Sequence, residues 1–345
     1  MRVLVLGATG YVGSRLVPHL LAQGHEVVAA SSSPPAPARF GWRDGVRAVQ
    51  CDVTDADAVE RTLEGVDAVV YLVHSLDRTD FGDRDRLAAE TVARAVGDSG
   101  VRRLVYLSGL VPQVPERELS RHIASRLEVE RILLGSGTSS VALRAGVVLG
   151  AGSTSFEVVR QVATLFVVQP VPLWMRHDVQ PVAVSDVLRA VAEMVTGDEE
   201  GAVDVGGPDV LSYPDLMAAC SRAGRLARLR LPAPVAPPAL VGLATALATT
   251  APFHTVTALI ESLHHDMVCR PGRTWVPAEG SPLLGVEEAV RLASDPGTTS
   301  PEGPLPSDPA WARRGGPLDA LPVPATTRQA LRLALHRALA VLPGA

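Results

Sequence analysis

Val3-Leu4-Val5-Leu6 runs without a polar break into Gly7, and the hydrophobic period then changes, with Leu16, Leu20 and Leu21 recurring on one helical face until Gly24. Glu26-Val27-Val28-Ala29-Ala30 starts a second apolar run. Buried strand, amphipathic helix and buried strand in that order form a βαβ unit, the building block of a parallel sheet. The alternation goes on. The pattern predicts strands over Arg47-Ala48-Val49-Gln50 and residues 67–73, 103–107 and 140–143, with helices over 56–64, 83–96 and 118–134 between them. Gly65, Gly100 and Gly135-Ser136-Gly137 fall where helix ends need them. The expected fold class is α/β, a doubly wound parallel sheet.

After Gly152 the regular alternation stops. A helix is expected over 156–166, then a Pro-punctuated loop through Trp174, a helix from Asp186, a returning strand over 202–206, and a helix capped by Leu211-Ser212-Tyr213 after the Gly207-Pro208 turn. The domain reading is one body over residues 1–294, with a core at about 1–150 and a small interleaved substrate lobe drawn mainly from 151–180 and 207–294. Residues 295–325, rich in Pro, Gly and Ser, read as a linker. Residues 326–342 read as an amphipathic C-terminal helix, Leu331, Leu335, Leu339 and Leu342 on one face and Arg328, Arg332 and His336 on another. Docking on the body is its expected fate, with a second subunit or a membrane surface as alternatives.

Composition removes several function classes. The formal charge is −5, with arginines interleaved among Asp and Glu, so no concentrated basic face suggests nucleic-acid binding. Cys51, Cys220 and Cys269 lack CxxC spacing, which fits a reducing compartment and no structural zinc. Met1 leads directly into the first strand without a secretion-signal pattern, making cytoplasmic the expected location. The uncharged run Leu231 to Ile260 is broken by five prolines, so only Ala239 to Thr250 can be a continuous helix, too short for a transmembrane segment. No lysine or asparagine occurs anywhere, so no step can use a lysine amine or an asparagine amide.

The candidate chemistry begins at Gly7, Gly10 and Gly13. A strand that turns sharply into a helix presents backbone N–H groups and the positive end of the helix dipole at one point, where a pyrophosphate can sit. Gly7 permits the turn, Gly10 lets phosphates approach, and Gly13 lets helix and strand pack closely. Thr9, Tyr11 and Val12 complete the loop. Asp52-Val53 after the third strand suits an adenine edge, although Asp52 could equally cap the next helix. Leu72-Val73-His74-Ser75 ends the fourth strand on the nicotinamide ribose side. Ser31-Ser32-Ser33 ends the second strand where NAD-preferring sites carry an acid. With no carboxylate to repel a 2′-phosphate, and Arg39 nearby, the cofactor reading tilts slightly to NADP over NAD.

GATGYVG at 7–13, YLVHS at 71–75, RRLVYLSGL at 102–110, ALRAGVVLGAGS at 142–153, QPVAVSDV at 180–187 and VDVGGPDVLSY at 203–213 resemble the atypical and extended short-chain dehydrogenase/reductase superfamily, in its NmrA-like branch. The resemblance covers about residues 1–294 and implies a Rossmann-type sheet, a bound nicotinamide dinucleotide and a small substrate lobe. Catalytic members place a Ser at the end of the fifth strand and a Tyr and Lys four apart on the following helix. Ser108 holds the serine position, but His122 and Arg126 stand where Tyr and Lys would.

Two expectations follow. In the first, the chain is an oxidoreductase acting on a small apolar carbonyl, quinone or enone, with His122 as general acid, Arg126 as a fixed cation towards the ribose and Ser108 at the serine position. Trp174, Met175, Phe156 and Phe166 would line its pocket. In the second, the chain binds a dinucleotide without turnover, as a regulatory or assembly protein with a protein partner or as a homodimer. Epimerase or dehydratase chemistry is a third and weaker reading, since it also leans on the Tyr and Lys. His264-His265 and His177-Asp178 lack partners at metal-ligand spacing, so no metal is expected. The Asp77, Asp80, Asp83 and Asp85 run, interleaved with arginines, reads as a solvated helix start, and Ser108 lacks the GxSxG elbow of a hydrolase.

Overall fold

The computed structural model describes residues 1–33, 39–74, 81–233, 236–278, 280–313 and 317–341. Ser75, Asp77, Asp80 and Leu342 lie outside the described residues, as does the side chain of Leu339. The chain divides into two units. The first comprises Met1–Gly146, Val184–Gly206 and Cys269–Leu283; the second comprises Val147–Ala183, Gly207–Val268 and the chain from Leu284 onward.

The first unit is built on β1 (Arg2–Leu6), β2 (Glu26–Ser31), β3 (Arg47–Gln50), β4 (Ala68–Tyr71), β5 (Arg103–Gly109), β6 (Ser140–Ala145) and a closing strand, Gly201–Val205. All are parallel, in the order closing strand, β6, β5, β4, β1, β2, β3. The chain runs outward from β1 through β2 to β3, then returns to the other side of β1 for β4. That reversal puts the topological switch point at the carboxyl ends of β1 and β4. Val3, Leu4, Val5 and Leu6 are almost wholly buried because helices cover both faces of a parallel sheet. Around them lie α1 (Tyr11–Ala22), α2 (Ala56–Thr62), α3 (Phe81–Gly97), α4 (Arg121–Leu134) and α6 (Val184–Thr196). Leu4, Leu6, Tyr71 and Leu104 join side chains of α2, α3 and α4 in one core cluster. Each such side chain contributes about 2 to 3 kcal/mol through removal from water.

Differences from the sequence reading have local causes. β4 stops at Tyr71, after which the Leu72 amide makes a last bond to Leu6 and the chain leaves the sheet, so Leu72, Val73 and His74 form a loop. α4 starts at Arg121 rather than 118, because the Ser120 hydroxyl caps it by accepting from the Ile123 amide, and Glu116–Glu118 form a separate short turn. Asp85 is buried at 7% exposure, a correction to the solvated reading of that run; Arg86 pairs with Asp83 and Arg84 with Asp52 at its rim. Residues 269–283, assigned to the lobe, pack in the first unit. Trp275 and Asp204 share a backbone bond, and Arg270 grips the buried Asp204 carboxylate at 2.7 Å.

The second unit holds α5 (Thr154–Leu165), α7 (Tyr213–Ala223), α8 (Pro238–Ala248), α9 (Phe253–Glu261), α10 (Val286–Ser294) and α11 (Ala325–Val341). The described part of the supposed linker is anchored here: the Ala151 amide donates to the Glu302 carbonyl, Asp308 packs on Gly152, and Thr250 Oγ1 donates to the Trp311 carbonyl. Proline and glycine mark tight turns in this segment rather than a loose tether. α11 docks on α5 through polar groups, with buried Gln329 donating to Gln161 at 3.1 Å, while Leu331 and Leu335 face solvent, opposite to the amphipathic reading. No helix among the described residues is long and apolar enough to cross a membrane.

Candidate dinucleotide site

At the switch point the glycine loop is held from three sides. The Gly7 and Ala8 amides donate to the Ala30 carbonyl of β2, and the Gly10 amide to the Gly7 carbonyl. Gly7 has φ +87°, a left-handed conformation that side chains disfavour, and a Cβ on it would stand 3.3 Å from the Leu72 backbone. A Cβ on Gly13 would meet the Gly7 carbonyl oxygen at 2.3 Å and the Ala8 Cα at 2.8 Å, so helix and loop fit only without a side chain. Gly10 caps α1 without a side-chain hydrogen bond, and the first turn contains no acid. By contrast Asp55 caps α2 and Ser120 caps α4. The positive end of α1 is thus left without a side-chain cap or an acid of its own.

Thr9, Gly10, Tyr11 and Val12 keep exposed surface on this loop, as do Leu72, Val73 and His74 beside it. Arg15, which the sequence reading did not single out, is buried with its guanidinium 4.3 Å over the Tyr11 ring. Its four-residue spacing from Tyr11 was the available signal. At the end of β2, Ser31 is mostly buried and donates to the Ser33 carbonyl at 3.0 Å, while Ser32 is exposed. Val53 belongs largely to the core. Asp52 does not cap α2, correcting that alternative: Asp55 does. Asp52 instead accepts from the Thr54 amide and hydroxyl and pairs with Arg84, and those bonds hold its carboxyl below the usual range.

The carboxyl end of β5 carries Ser108, 2% exposed. Tyr106, two residues earlier and so on the same face, was missed, although strand alternation could have found it. Its phenol neighbours Ser108, stacks edge-on with Tyr71 at 5.7 Å, and is pushed upward in pKa mainly by burial. His122 and Arg126 lie one turn apart on α4, and a Cβ on Gly109 would stand 3.5 Å from Arg126 Nη1. Burial first, then the Arg126 charge and the neighbouring His74, hold the His122 imidazole far below its ordinary value. His74, His122 and Arg126 therefore form one cluster with Ser108 and Tyr106 at the ends of β4 and β5. Both rings lie close enough to the Arg126 guanidinium to feel its charge, which disfavours a proton on either.

The proposed pocket aromatics are placed differently. Phe156 is fully buried in a core cluster of the second unit against which Met175 packs, and Trp174 packs on another cluster and stacks on His264 at 5.1 Å. Phe156 is a packing residue rather than a lining one, because α5 turns it inward. His177 contacts Asp266 at 3.0 Å, and no cluster of metal-ligating residues occurs among the described residues.

Parallel sheet, switch point and open glycine loop define a dinucleotide-binding protein of the Rossmann type. A family model described as NAD(P)H-binding matches residues 7–184, and the chain belongs to that family. An uncharacterised Mycobacterium tuberculosis protein is 29% identical over 227 residues, 64% of this chain but 23% of the relative, so the chain spans about a quarter of that relative's length. A Streptomyces griseus (4-alkanoyl-5-oxo-2,5-dihydrofuran-3-yl)methyl phosphate reductase is 32% identical over 229 residues, 64% of this chain and 73% of the relative. A Thermus thermophilus UDP-glucose 4-epimerase, solved in complex with NAD, superimposes with a TM-score of 0.59 at 22% identity, covering 85% of this chain and 97% of that one. That likeness establishes the fold.

Proposed function

We propose that the chain is an NAD(P)H-dependent reductase of a small carbonyl, quinone or enone. The observation that carries this is the uncapped, acid-free first turn of α1, cradled by glycines that tolerate no side chain, beside the Ser108, His122 and Arg126 cluster. The reductase name of the Streptomyces griseus relative supports the reaction class.

In this reading Gly7, Gly10 and Gly13, with the amides of Thr9, Tyr11 and Val12, hold the pyrophosphate, and Leu72, Val73 and His74 flank the nicotinamide ribose. Asp52 and Val53 sit at the adenine side, and Ser31 and Ser32 offer hydroxyls where no carboxylate would repel a 2′-phosphate, which favours NADP(H). A bound NAD(P)H supplies a hydride to the substrate carbon. Ser108 Oγ and the neutral His122 ring both donate hydrogen bonds to the substrate oxygen, and the proton that oxygen acquires comes from water. As a neutral ring, His122 acts by polarising the oxygen through its N–H, so no imidazolium is needed beforehand. Arg126 is the fixed positive charge of the site.

Calorimetric titration with NAD⁺, NADH, NADP⁺ and NADPH, followed by spectrophotometric turnover across carbonyls and quinones, tests the reading. Micromolar binding with the phosphorylated pair favoured, and oxidation of NADPH that falls at least about 100-fold in His122→Phe, is the expected outcome. Binding without any turnover would overturn it in favour of a non-catalytic dinucleotide-binding protein.

A further inference from the structure

Among the described residues, no anion pairs with the Arg126 guanidinium. It is half-buried, its Nε is fully buried with no protein hydrogen-bond partner, and it makes no ion pair among the described residues. The acid at helical spacing from it, Glu130, is turned instead to β6, where it grips Arg144 through two bonds of 2.6 and 2.9 Å. Other acids before and along α4 are also engaged or turned away: Glu116 binds Arg131, Glu118 binds Arg117, and Glu128 is exposed. A guanidinium withdrawn from water without a counter-charge is costly, and one beside substrate-facing groups is neutralised when an anion arrives.

We propose that Arg126 anchors an anionic group on the substrate, a phosphate or a carboxylate, at the carboxyl ends of β4 and β5. The planar fork suits two oxygens of such a group. His74 and His122 both lie close enough to feel the Arg126 charge, and an uncharged ring has an N–H to donate, so the site adds donors without adding a second fixed charge. The proposal rests on the reductase reading and narrows it: the substrate is an anionic carbonyl or enone, not a wholly apolar one. It also gives the anion a role in the chemistry. Neutralising Arg126 removes one of the influences that disfavour a proton on His122, so the donor gains proton affinity when the correct substrate is seated.

The test uses the full chain saturated with NADP⁺, so that the cofactor's own phosphates are already placed, and reads binding rather than turnover. Inorganic phosphate and, separately, acetate are titrated while the His74 and His122 side-chain resonances are followed by NMR, assigned by His74→Gln and His122→Gln. Saturable shifts of both rings are expected with at least one anion, which names the class. In Arg126→Met the affinity falls roughly 10- to 100-fold, and Arg126→Lys retains part of it. Absence of saturable shifts, equal affinity in Arg126→Met, or shifts seen only before the dinucleotide is added would each overturn the proposal; the last would assign Arg126 to the cofactor. Failure of the reductase reading appears separately, as anion binding intact with no NADPH oxidation.

Discussion

Gly13 is the residue at which the site is least forgiving. Its absent side chain lets α1 close on the loop, and a methyl there would press on the Gly7 carbonyl and Ala8 backbone, atoms that cannot swing away. Gly13→Ala is expected to weaken NADPH binding by at least about tenfold and to destabilise the first unit by about 1 to 3 kcal/mol, as read by calorimetry and denaturant titration. His122 makes a second residue-scale prediction. Its ordinary value is 6.5 and the folded value lies lower, so the unfolded chain takes up a proton first as pH falls. The stability it contributes is complete above pH 6.5 and drains as pH falls toward the folded value. Denaturant midpoints measured between pH 7 and about 5 should fall more steeply in the parent than in His122→Gln. Equal slopes would mean that His122 is not held neutral.

Among the elements, α4 carries most of the proposed chemistry and is fixed by two unlike contacts. Ser120 stops its first turn from fraying, and the Glu130–Arg144 pair ties its middle to β6. Removing Glu130 leaves Arg144 buried and unpaired, so Glu130→Ala should cost about 3 to 5 kcal/mol in denaturant unfolding. Arg126→Met on the same helix should cost under about 1 kcal/mol, since that guanidinium has no partner to lose. The element pattern was legible from apolar periodicity: every strand of the sheet and every long helix of the first unit was expected near its observed place. The boundaries were not: the start of α4 turns on which nearby hydroxyl caps it, Ser120, and the end of β4 on the Leu72 amide, whose partner Leu6 is distant in sequence.

For the whole molecule, the chain leaves the first unit after Gly146, returns for Val184–Gly206, and returns again for Cys269–Leu283. The C-terminal stretch belongs to the second unit, where it satisfies buried groups at Ala151, Thr250 and Gln161. Deleting everything after Ser294 should therefore strip those partners. The shortened chain should melt at least about 5 °C lower and be cut more readily by protease within α5 and α8. A melting temperature unchanged by the deletion would restore the linker reading.

Hydrophobic periodicity and three glycines were enough to determine a parallel α/β sheet and a dinucleotide loop, because strand burial, helical period and the need for a missing Cβ are local properties of the chain. The resemblance to short-chain dehydrogenases set His122 and Arg126 where such enzymes carry Tyr and Lys, an expectation drawn from motifs rather than from periodicity. Tertiary structure alone decided that His74 joins them, that residues 269–283 rejoin the first unit, and that Glu130 turns from Arg126 to Arg144. Each depends on which distant side chain occupies the space and charge nearby, and periodicity carries no record of that.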